Sequence, residues 1–286
     1  MKKVLVVLLS LLLVTGSLLV AASADDLSPE EEIPTVGASS PEAPTVFVTL
    51  LDAEGNFVSR NQPFEVTDSD ADGSLTISDA LFAAHEALFE GGAAAAYGAE
   101  IGEYGLSLTK LCGTENGGGY GYYVNNVAAW SLADPIQDGD RVTAFVYTDL
   151  TAWSDTFCWF AEGDQSAEAG QSVSLTLQAY AYDENYNMSA APVSGATILV
   201  DDEPTSYTTG EDGKVTLSLT AAGSHWISAS SETQNLVAPL CSVEITAASA
   251  EQPPKTGDSS LVAVSVVLIL SAGVLVSFGK KRGVND

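Results

Sequence analysis

The sequence predicts a mainly β protein with two domains, a small α+β domain followed by a β-sandwich, between a signal peptide and a C-terminal transmembrane helix. Three observations support this prediction. From residue 45 to residue 248, short runs rich in β-branched and aromatic residues alternate with turns that contain Gly and Asp. One stretch, after residue 76, has apolar residues at helical spacing. Two long apolar runs lie outside this region, near either end of the chain.

The charge of the chain excludes several classes of partner. Its 286 residues include 38 acidic and 10 basic side chains, a formal net charge of −28. Half of the basic residues lie in the two apolar ends, so the region between them is more acidic still. Such a surface repels polyanions and anionic lipid head groups, and nucleic acid is therefore excluded as a partner.

Residues 1–24 have the composition of a secretory signal peptide. Two lysines precede an apolar run from Val4 to Val20, and Ala22-Ser23-Ala24 provides a cleavage site of small residues. A permanent N-terminal membrane anchor is the alternative, but the two aspartates that follow favour cleavage. Residues 25–44 are acidic, contain proline and have few apolar residues, so they are predicted to be a disordered leader.

The C-terminal region contains three features in a fixed order. A linker over residues 249–257 contains Pro253-Pro254-Lys255-Thr256-Gly257. Residues 258–279 include an uncharged apolar run, predicted to be a transmembrane helix about 27 Å long. Residues 280–286 begin with a cluster of basic residues that is predicted to stay cytoplasmic.

This order resembles the sorting signal of Gram-positive surface proteins, the Leu-Pro-x-Thr-Gly type, with Pro253 where the family usually has Leu. The resemblance implies that a sortase thiol attacks the bond between Thr256 and Gly257, and that an amine of the peptidoglycan precursor resolves the acyl-enzyme. The helix and basic tail would hold the chain in the membrane until transfer. Sortase, peptidoglycan and the membrane are thus the implied partners. A single-pass membrane protein that sortase does not process is the alternative.

Residues 45–163 are predicted to form the first domain, with a strand over Thr45–Leu51 and further strands near its end. Within it, Gly121–Asn126, Trp130 and Pro135–Val142 resemble the transcobalamin-like C-terminal domain, a small β-rich module of exported bacterial proteins. The resemblance implies a cobalamin-like small ligand as an alternative function. The helical repeats of the vitamin carriers are not found in this chain.

Residues 68–79 form the most specific motif of the first domain. Oxygen-bearing side chains stand at loop positions 1, 3, 5 and 12, and Gly73 stands at position 6. This spacing predicts a calcium site formed by the carboxylates of Asp68, Asp70, Asp72 and Asp79 and by the backbone carbonyl of Ser74. It resembles a dockerin-type calcium loop, although dockerins carry two such loops. The alternative is a solvated acidic turn that caps the following helix.

Residues 164–248 are predicted to form the β-sandwich. Four strand-like segments support it: Ser172–Leu177, Ala196–Val200, Lys214–Leu219 and Trp226–Ala229. The run from Tyr207 to Leu217 resembles the repeat core of bacterial Ig-like domains. The resemblance implies a role as a stalk or spacer.

Other candidate residues are few. Cys112 and Cys158 flank strand segments and are candidates for a disulfide, which leaves Cys241 unpaired. A candidate ligand patch consists of Tyr122, Tyr123, Asn125 and Trp130, with burial of the aromatic residues in the core as the alternative.

The sequence predicts a protein that is not an enzyme, because neither His85 nor His225 lies in a recognisable nucleophile motif. The predicted function is extracellular binding or adhesion, with the chain attached at Thr256 to the wall of a Gram-positive bacterium. The sequence does not identify the extracellular ligand.

Overall fold

The computed structural model describes residues 43–248 except 183, 186, 187 and 238. The predicted signal peptide, nearly all of the acidic leader, the linker with the sorting motif, the transmembrane segment and the basic tail lie outside the described residues. Within the described part of the chain, no helix has both the length and the apolar character needed to cross a membrane.

The described chain is mainly β, which confirms that part of the predicted fold class. Its two helices are α1 (Ile77–Leu88) and α2 (Gly92–Ala96). The first strands are β1 (Thr45–Leu51), β2 (Phe57–Glu65), β3 (Gly98–Gly102), β4 (Gly105–Lys110), β5 (Tyr120–Val124), β6 (Val127–Ala128), β7 (Arg141–Val146) and β8 (Asp155–Phe160). The remaining strands are β9 (Gln165–Glu168), β10 (Ser172–Tyr182), β11 (Met188–Pro192), β12 (Thr197–Val200), β13 (Glu203–Thr208), β14 (Lys214–Ser218), β15 (Gly223–Ser230), β16 (Asn235–Val237) and β17 (Cys241–Thr246).

The first unit is a five-stranded sheet covered by a helix. The strand order is β2-β1-β7-β5-β6, and the central pair, β1 and β7, is parallel. Helix α1 packs on β1 and β2, and its apolar face is buried with the inner residues of the sheet in one core. Ile77, Leu81 and Ala84 are completely buried, as the helical spacing in the sequence predicts.

His85 completes the buried face of α1 in its neutral form. The backbone N–H of Cys112 donates to Nε2 at 3.1 Å, so Nδ1 carries the proton and donates to the carbonyl of Leu81 at 2.6 Å. The ring also stacks on Phe89, with 5.1 Å between centroids. Burial lowers the pKa of His85, and the hydrogen bond to Leu81 opposes this only in part.

The second unit is a two-sheet sandwich. One sheet has the order β11-β10-β8-β16, with β14 also paired to β10, and the other has the order β13-β12-β15-β17-β9. Apolar residues from both sheets, among them Leu175, Leu217, Ile198 and Val243, form one buried core between them. The predicted β-sandwich is confirmed as an architecture.

Strand β8 joins the two units. It precedes the predicted boundary at residue 163, yet it pairs with β10 on one side and with β16 on the other. The predicted boundary therefore follows a strand that already belongs to a sandwich sheet. The first unit and the second unit, residues 44 to 248, accordingly belong to one compact domain.

An aromatic cluster, here called the junction cluster, fills the space where the two units meet. Its members are Leu51, Phe57, Tyr123, Phe145, Tyr147, Phe157, Trp159, Tyr180 and Val237. Tyr123 of the first sheet and Phe157 of β8 stack with 3.6 Å between their centroids. Trp159 and Tyr180 of the same cluster meet at a tilt, with 4.8 Å between centroids, and aromatic pairs at such separations add about 0.5–1.5 kcal/mol to the burial of the rings. The cluster therefore stabilises the junction as a packed core does.

Two ion pairs cross the same junction. Arg60 donates to both carboxylate oxygens of Asp202 at 2.7–2.8 Å, and Arg141 donates to Asp164 at 2.7 Å. These are the only two arginines between residues 43 and 248. Burial raises the pKa of Asp164, but hydrogen bonds from Ser242 and Arg141 outweigh it, and the pKa is lowered. Both arginines of the described chain thus link the first unit to the second.

The two histidines are expected to give opposite pH dependences of stability. The folded-state pKa of His85 is lowered, so its contribution to stability is lost as the pH falls below about 6.5. The pKa of His225 is raised, first by its hydrogen bond to Asp201, so its contribution is lost as the pH rises. Urea unfolding between pH 7 and pH 5 should show a flatter decline for His85→Gln than for the wild type. His225→Gln, as the control, should show a steeper one, and an unchanged slope in His85→Gln would contradict the buried neutral ring.

Removal of the two arginines is expected to destabilise the chain more than removal of two lysines. Arg60→Gln with Arg141→Gln loses both cross-junction pairs, and partly exposed ion pairs contribute up to about 1 kcal/mol each. Lys110→Gln with Lys214→Gln removes the same charge from two pairs that are local in sequence, Lys110–Glu115 and Lys214–Asp212. Urea midpoints at low salt should fall for the arginine variant only, and equal midpoints would show that the ion pairs add nothing at the junction.

Candidate functional site

The predicted calcium loop lies between β2 and α1 and is fixed at both ends. Before the loop, Val66 is buried, and its N–H donates to the carbonyl of Pro44. After the loop, the N–H of Ile77 donates to the carbonyl of Asp134. Both ends are therefore held by the core of the first unit, and residues 67–74 between them are exposed to solvent.

Asp79 is buried and already accepts four hydrogen bonds. Its Oδ2 accepts from the N–H and hydroxyl of Thr76 at 2.9 and 2.8 Å, and its Oδ1 accepts from the N–H and hydroxyl of Ser69 at 2.8 and 2.7 Å. Thr76 and Asp79 together form a capping box at the start of α1. Burial raises the pKa of Asp79, but the hydrogen bonds from Ser69 and Thr76 outweigh it and lower the pKa.

The three other aspartates are exposed and shape the turn. Asp68 accepts from the N–H of Asp72 at 3.1 Å and of Gly73 at 2.9 Å, and Asp72 accepts from the N–H of Ser74 at 2.7 Å. Gly73 has a φ of +89°, in the region that favours glycine. The glycine at loop position 6 therefore performs the predicted role in the turn.

Three of the four predicted carboxylates converge. Ligand oxygens of Asp68, Asp70 and Asp79 all lie within 4.8 Å of one another, whereas Asp72 is not a member of this group. Two oxygens that share one Ca²⁺ at about 2.4 Å are at most about 4.8 Å apart, so the separation suits a common ion. The pKa of Asp70 is raised, first by desolvation and then by the charges of Asp72 and Asp79. Ser74 lies in the same turn, where its N–H donates to Asp72.

The predicted ligand patch is not one surface. Tyr122 packs against the core of the first unit, whereas Tyr123, the next residue of β5, packs in the junction cluster. Consecutive residues of a strand point to opposite faces, which separates the two rings. Asn125 donates to Asp140 at 2.8 Å, and Trp130 is 88% exposed. The prediction of a shared patch is therefore wrong.

The predicted disulfide is not formed in the structure. Cys112, Cys158 and Cys241 are all free thiols. Cys158 donates to the carbonyl of Val237 at 3.0 Å within the sandwich, and the half-buried Cys112 lies near the carbonyl of Leu51 in the first unit. Burial raises the pKa of Cys112 and of Cys241 to about 12, so both stay protonated.

The residues of the predicted sorting motif, Pro253 to Gly257, lie outside the described residues. The sequence predicted a cap on α1 only as an alternative to the calcium site, without identifying the capping box, and it did not predict the cross-junction role of the arginines. Thr76-Ile77-Ser78-Asp79 has the spacing of a capping box, so the box was visible in the sequence. The role of the arginines depends on pairing between distant segments and has no local signal.

Comparison with known proteins gives no family. No protein-family model matches the sequence, and no curated protein matches it. Among solved structures, the chain is similar to the fibronectin(III)-like modules of Clostridium thermocellum CbhA, with 13% identity over 46% of this chain and 80% of that one and a TM-score of 0.26.

Two further structures are similar at the same low level. Domains 4 and 5 of the S-layer protein SbsC match with 18% identity over 51% of this chain and 78% of that one, with a TM-score of 0.21. The N-terminal Ig1-2 module of the Drosophila receptor protein tyrosine phosphatase DLAR matches with 13% identity over 53% and 74%, with a TM-score of 0.21. At these TM-scores the matches assign neither a fold family nor a function to this chain.

Proposed function

We propose that this chain is a calcium-binding, non-enzymatic surface protein that is attached covalently to Gram-positive peptidoglycan at Thr256. The observation that supports attachment is the order of three segments, the Pro253–Gly257 motif, the apolar run Leu261–Phe278 and the basic cluster Lys280-Lys281-Arg282. The described unit lies between this signal and the predicted signal peptide. That is the arrangement of an exported protein that is retained at the cell surface.

The proposed chemistry is acyl transfer. The sortase thiolate attacks the carbonyl carbon of Thr256, the bond to Gly257 breaks, and the amine of Gly257 leaves with the membrane segment. An amine of the peptidoglycan precursor then replaces the thiol. From Thr246, where β17 ends, to Thr256, ten residues span at most about 36 Å, so the folded unit stays close to its point of attachment.

The calcium part of the proposal is supported by the convergence of Asp68, Asp70 and Asp79. Asp68 and Asp70 are exposed and carry like charges, so a divalent cation would relieve their repulsion. Asp79 holds both the loop and the helix cap, so its coordination would replace the hydrogen bonds from Ser69. The ion would therefore stabilise the first unit through the loop.

The state of the candidate catalytic groups supports a binding role. Both ring nitrogens of His85 are engaged inside the core, and His225 lies between Asp201 and the carbonyl of Ala221. Burial raises the pKa of Cys112, Cys158 and Cys241, which disfavours the thiolate that a nucleophile needs.

Sorting predicts a defined product. Muramidase digestion of native walls should release the protein with peptidoglycan fragments on Thr256, as measured by mass spectrometry of the C-terminal peptide. Thr256→Ala should leave the chain in the membrane fraction with its C-terminus intact. Ser259→Ala lies beyond the scissile bond and should sort as the wild type does. A wild-type chain that retains residues 257–286 as its main species would show that sortase does not process it.

Calcium is expected to stabilise the wild-type chain through Asp70. Binding to the folded state adds about 2.7 kcal/mol at a hundredfold excess over Kd, so the Tm of the full-length protein should rise with calcium. Asp70→Asn should remove this response without loss of stability in chelator, because it also removes a repulsive charge. Glu100→Gln, the same charge change at an exposed residue of β3, should respond as the wild type does.

The variant Asp79→Asn distinguishes the role of the loop as a cation site from its role as a cap of α1. It should lower the Tm both in calcium and in chelator, because the carboxylate caps α1 whether or not an ion is present. A wild-type Tm that is equal in millimolar calcium and in chelator would leave the loop with its capping role alone.

A further inference from the structure

A cleft of about 370 Å³ lies where the first unit meets the sandwich. Thr49, Asn61, Asn126 and Thr143 line it from the first unit, and Trp159 and Trp226 line it from the strands of the sandwich. The ion pair between Arg141 and Asp164 also belongs to its wall. The volume is in the range of small-molecule sites, about 300–1,000 Å³.

Five polar side-chain groups of the cleft have no hydrogen-bond partner among the described residues. They are the hydroxyl of Thr143, the indole N–H groups of Trp159 and Trp226, and the side-chain amides of Asn61 and Asn126. The amides can each donate two hydrogen bonds and accept two, and each indole donates one. The guanidinium of Arg141 has five N–H donors, of which the ion pair with Asp164 engages one nitrogen. The cleft therefore presents a set of polar groups that a ligand can satisfy.

The backbone that carries both asparagines, and the ring of Trp159, are held by contacts within the protein. Asn126 has a φ of +66° in the two-residue turn between β5 and β6, and its carbonyl accepts from the hydroxyl of Tyr180 at 2.7 Å. Asn61 has a φ of +46°, and its N–H donates to Thr49 at 3.0 Å. The ring of Trp159 packs against Tyr180, with 4.8 Å between centroids. Because these contacts exist before any ligand binds, the backbone at the cleft loses little conformational entropy on binding.

We propose that this cleft binds a neutral carbohydrate. Indole rings pack against the C–H faces of sugar rings, while amides and a guanidinium exchange hydrogen bonds with hydroxyl groups. Glu162 and Asp164 line the same cleft, and the net charge of the chain is −28, so uronic or sulfated sugars are repelled. The inference deepens the proposed surface function, on which it rests, by naming the class of its extracellular ligand.

Calorimetric titration of the purified full-length protein in mild detergent tests the proposal without any requirement for wall attachment. The probes are chitotetraose, which has the amino-sugar chemistry of the wall, cellotetraose, a neutral glucan from other sources, and trigalacturonate as the anionic comparison. At least one neutral saccharide should bind and trigalacturonate should not. The neutral probe that binds more tightly identifies the source of the ligand. Failure of all neutral probes at millimolar concentration would overturn the cleft proposal and leave the sorting proposal intact.

Variants locate the binding. Asn126→Gly keeps the left-handed backbone and removes the amide, so affinity should fall about tenfold, the value of roughly one hydrogen bond. Trp226→Ala should reduce affinity further, and its Tm shows whether it folds. Trp130→Ala removes the same side chain from an exposed site outside the cleft and should bind as the wild type does. Unchanged affinity in Asn126→Gly, or a loss in Trp130→Ala alone, would show that the sugar binds elsewhere.

Discussion

Strand β8 is the element on which the rest of the described structure depends. Its two edges are paired with β10 and β16, so it is fixed within one sheet of the sandwich. Its alternate side chains then serve two cores: Cys158 and Phe160 enter the sandwich, while Phe157 and Trp159 enter the junction cluster. The stacking of Phe157 on Tyr123 therefore connects the first sheet to the second unit through one strand.

Because the chain is so acidic, the junction between the two units depends on its few basic residues. Two units with an excess of carboxylates repel each other, and apolar contact alone would bring these charges together. Arg60 and Arg141 neutralise one aspartate each across the boundary. The same boundary contains the cleft, with Arg141 in its wall. Arg141 therefore has two roles: it joins the two units through Asp164, and it lines the proposed ligand site.

The local sequence pattern predicted strands, the helix and the acidic loop well, but it predicted poorly which distant residues lie together in space. Strands β1 and β5 follow from runs of β-branched and aromatic residues, and the buried face of α1 follows from helical spacing. The spacing of the acidic loop predicted a cluster that contains three of its four aspartates. The disulfide failed because spacing along the chain does not give distance in space. The aromatic patch failed because Tyr122 and Tyr123, consecutive residues of β5, point to opposite faces of the sheet. The residues of the cleft, Asn61, Asn126, Trp159 and Trp226, come from four distant segments, so no motif could have indicated them.

The parallel strand pairs have a consequence for the order in which the chain can fold. Phe47 in β1 pairs with Arg141 in β7, and Phe157 in β8 pairs with Val237 in β16, so these pairings join residues far apart in sequence. Such long-range contacts form slowly, because loop closure must precede them. If the chain is exported from its N-terminus, as proposed, the first sheet cannot be completed before residue 146 has emerged, and the junction cannot be completed before residue 237 has emerged. Export would then take place before these long-range pairings form, and the structure would be completed outside the cell.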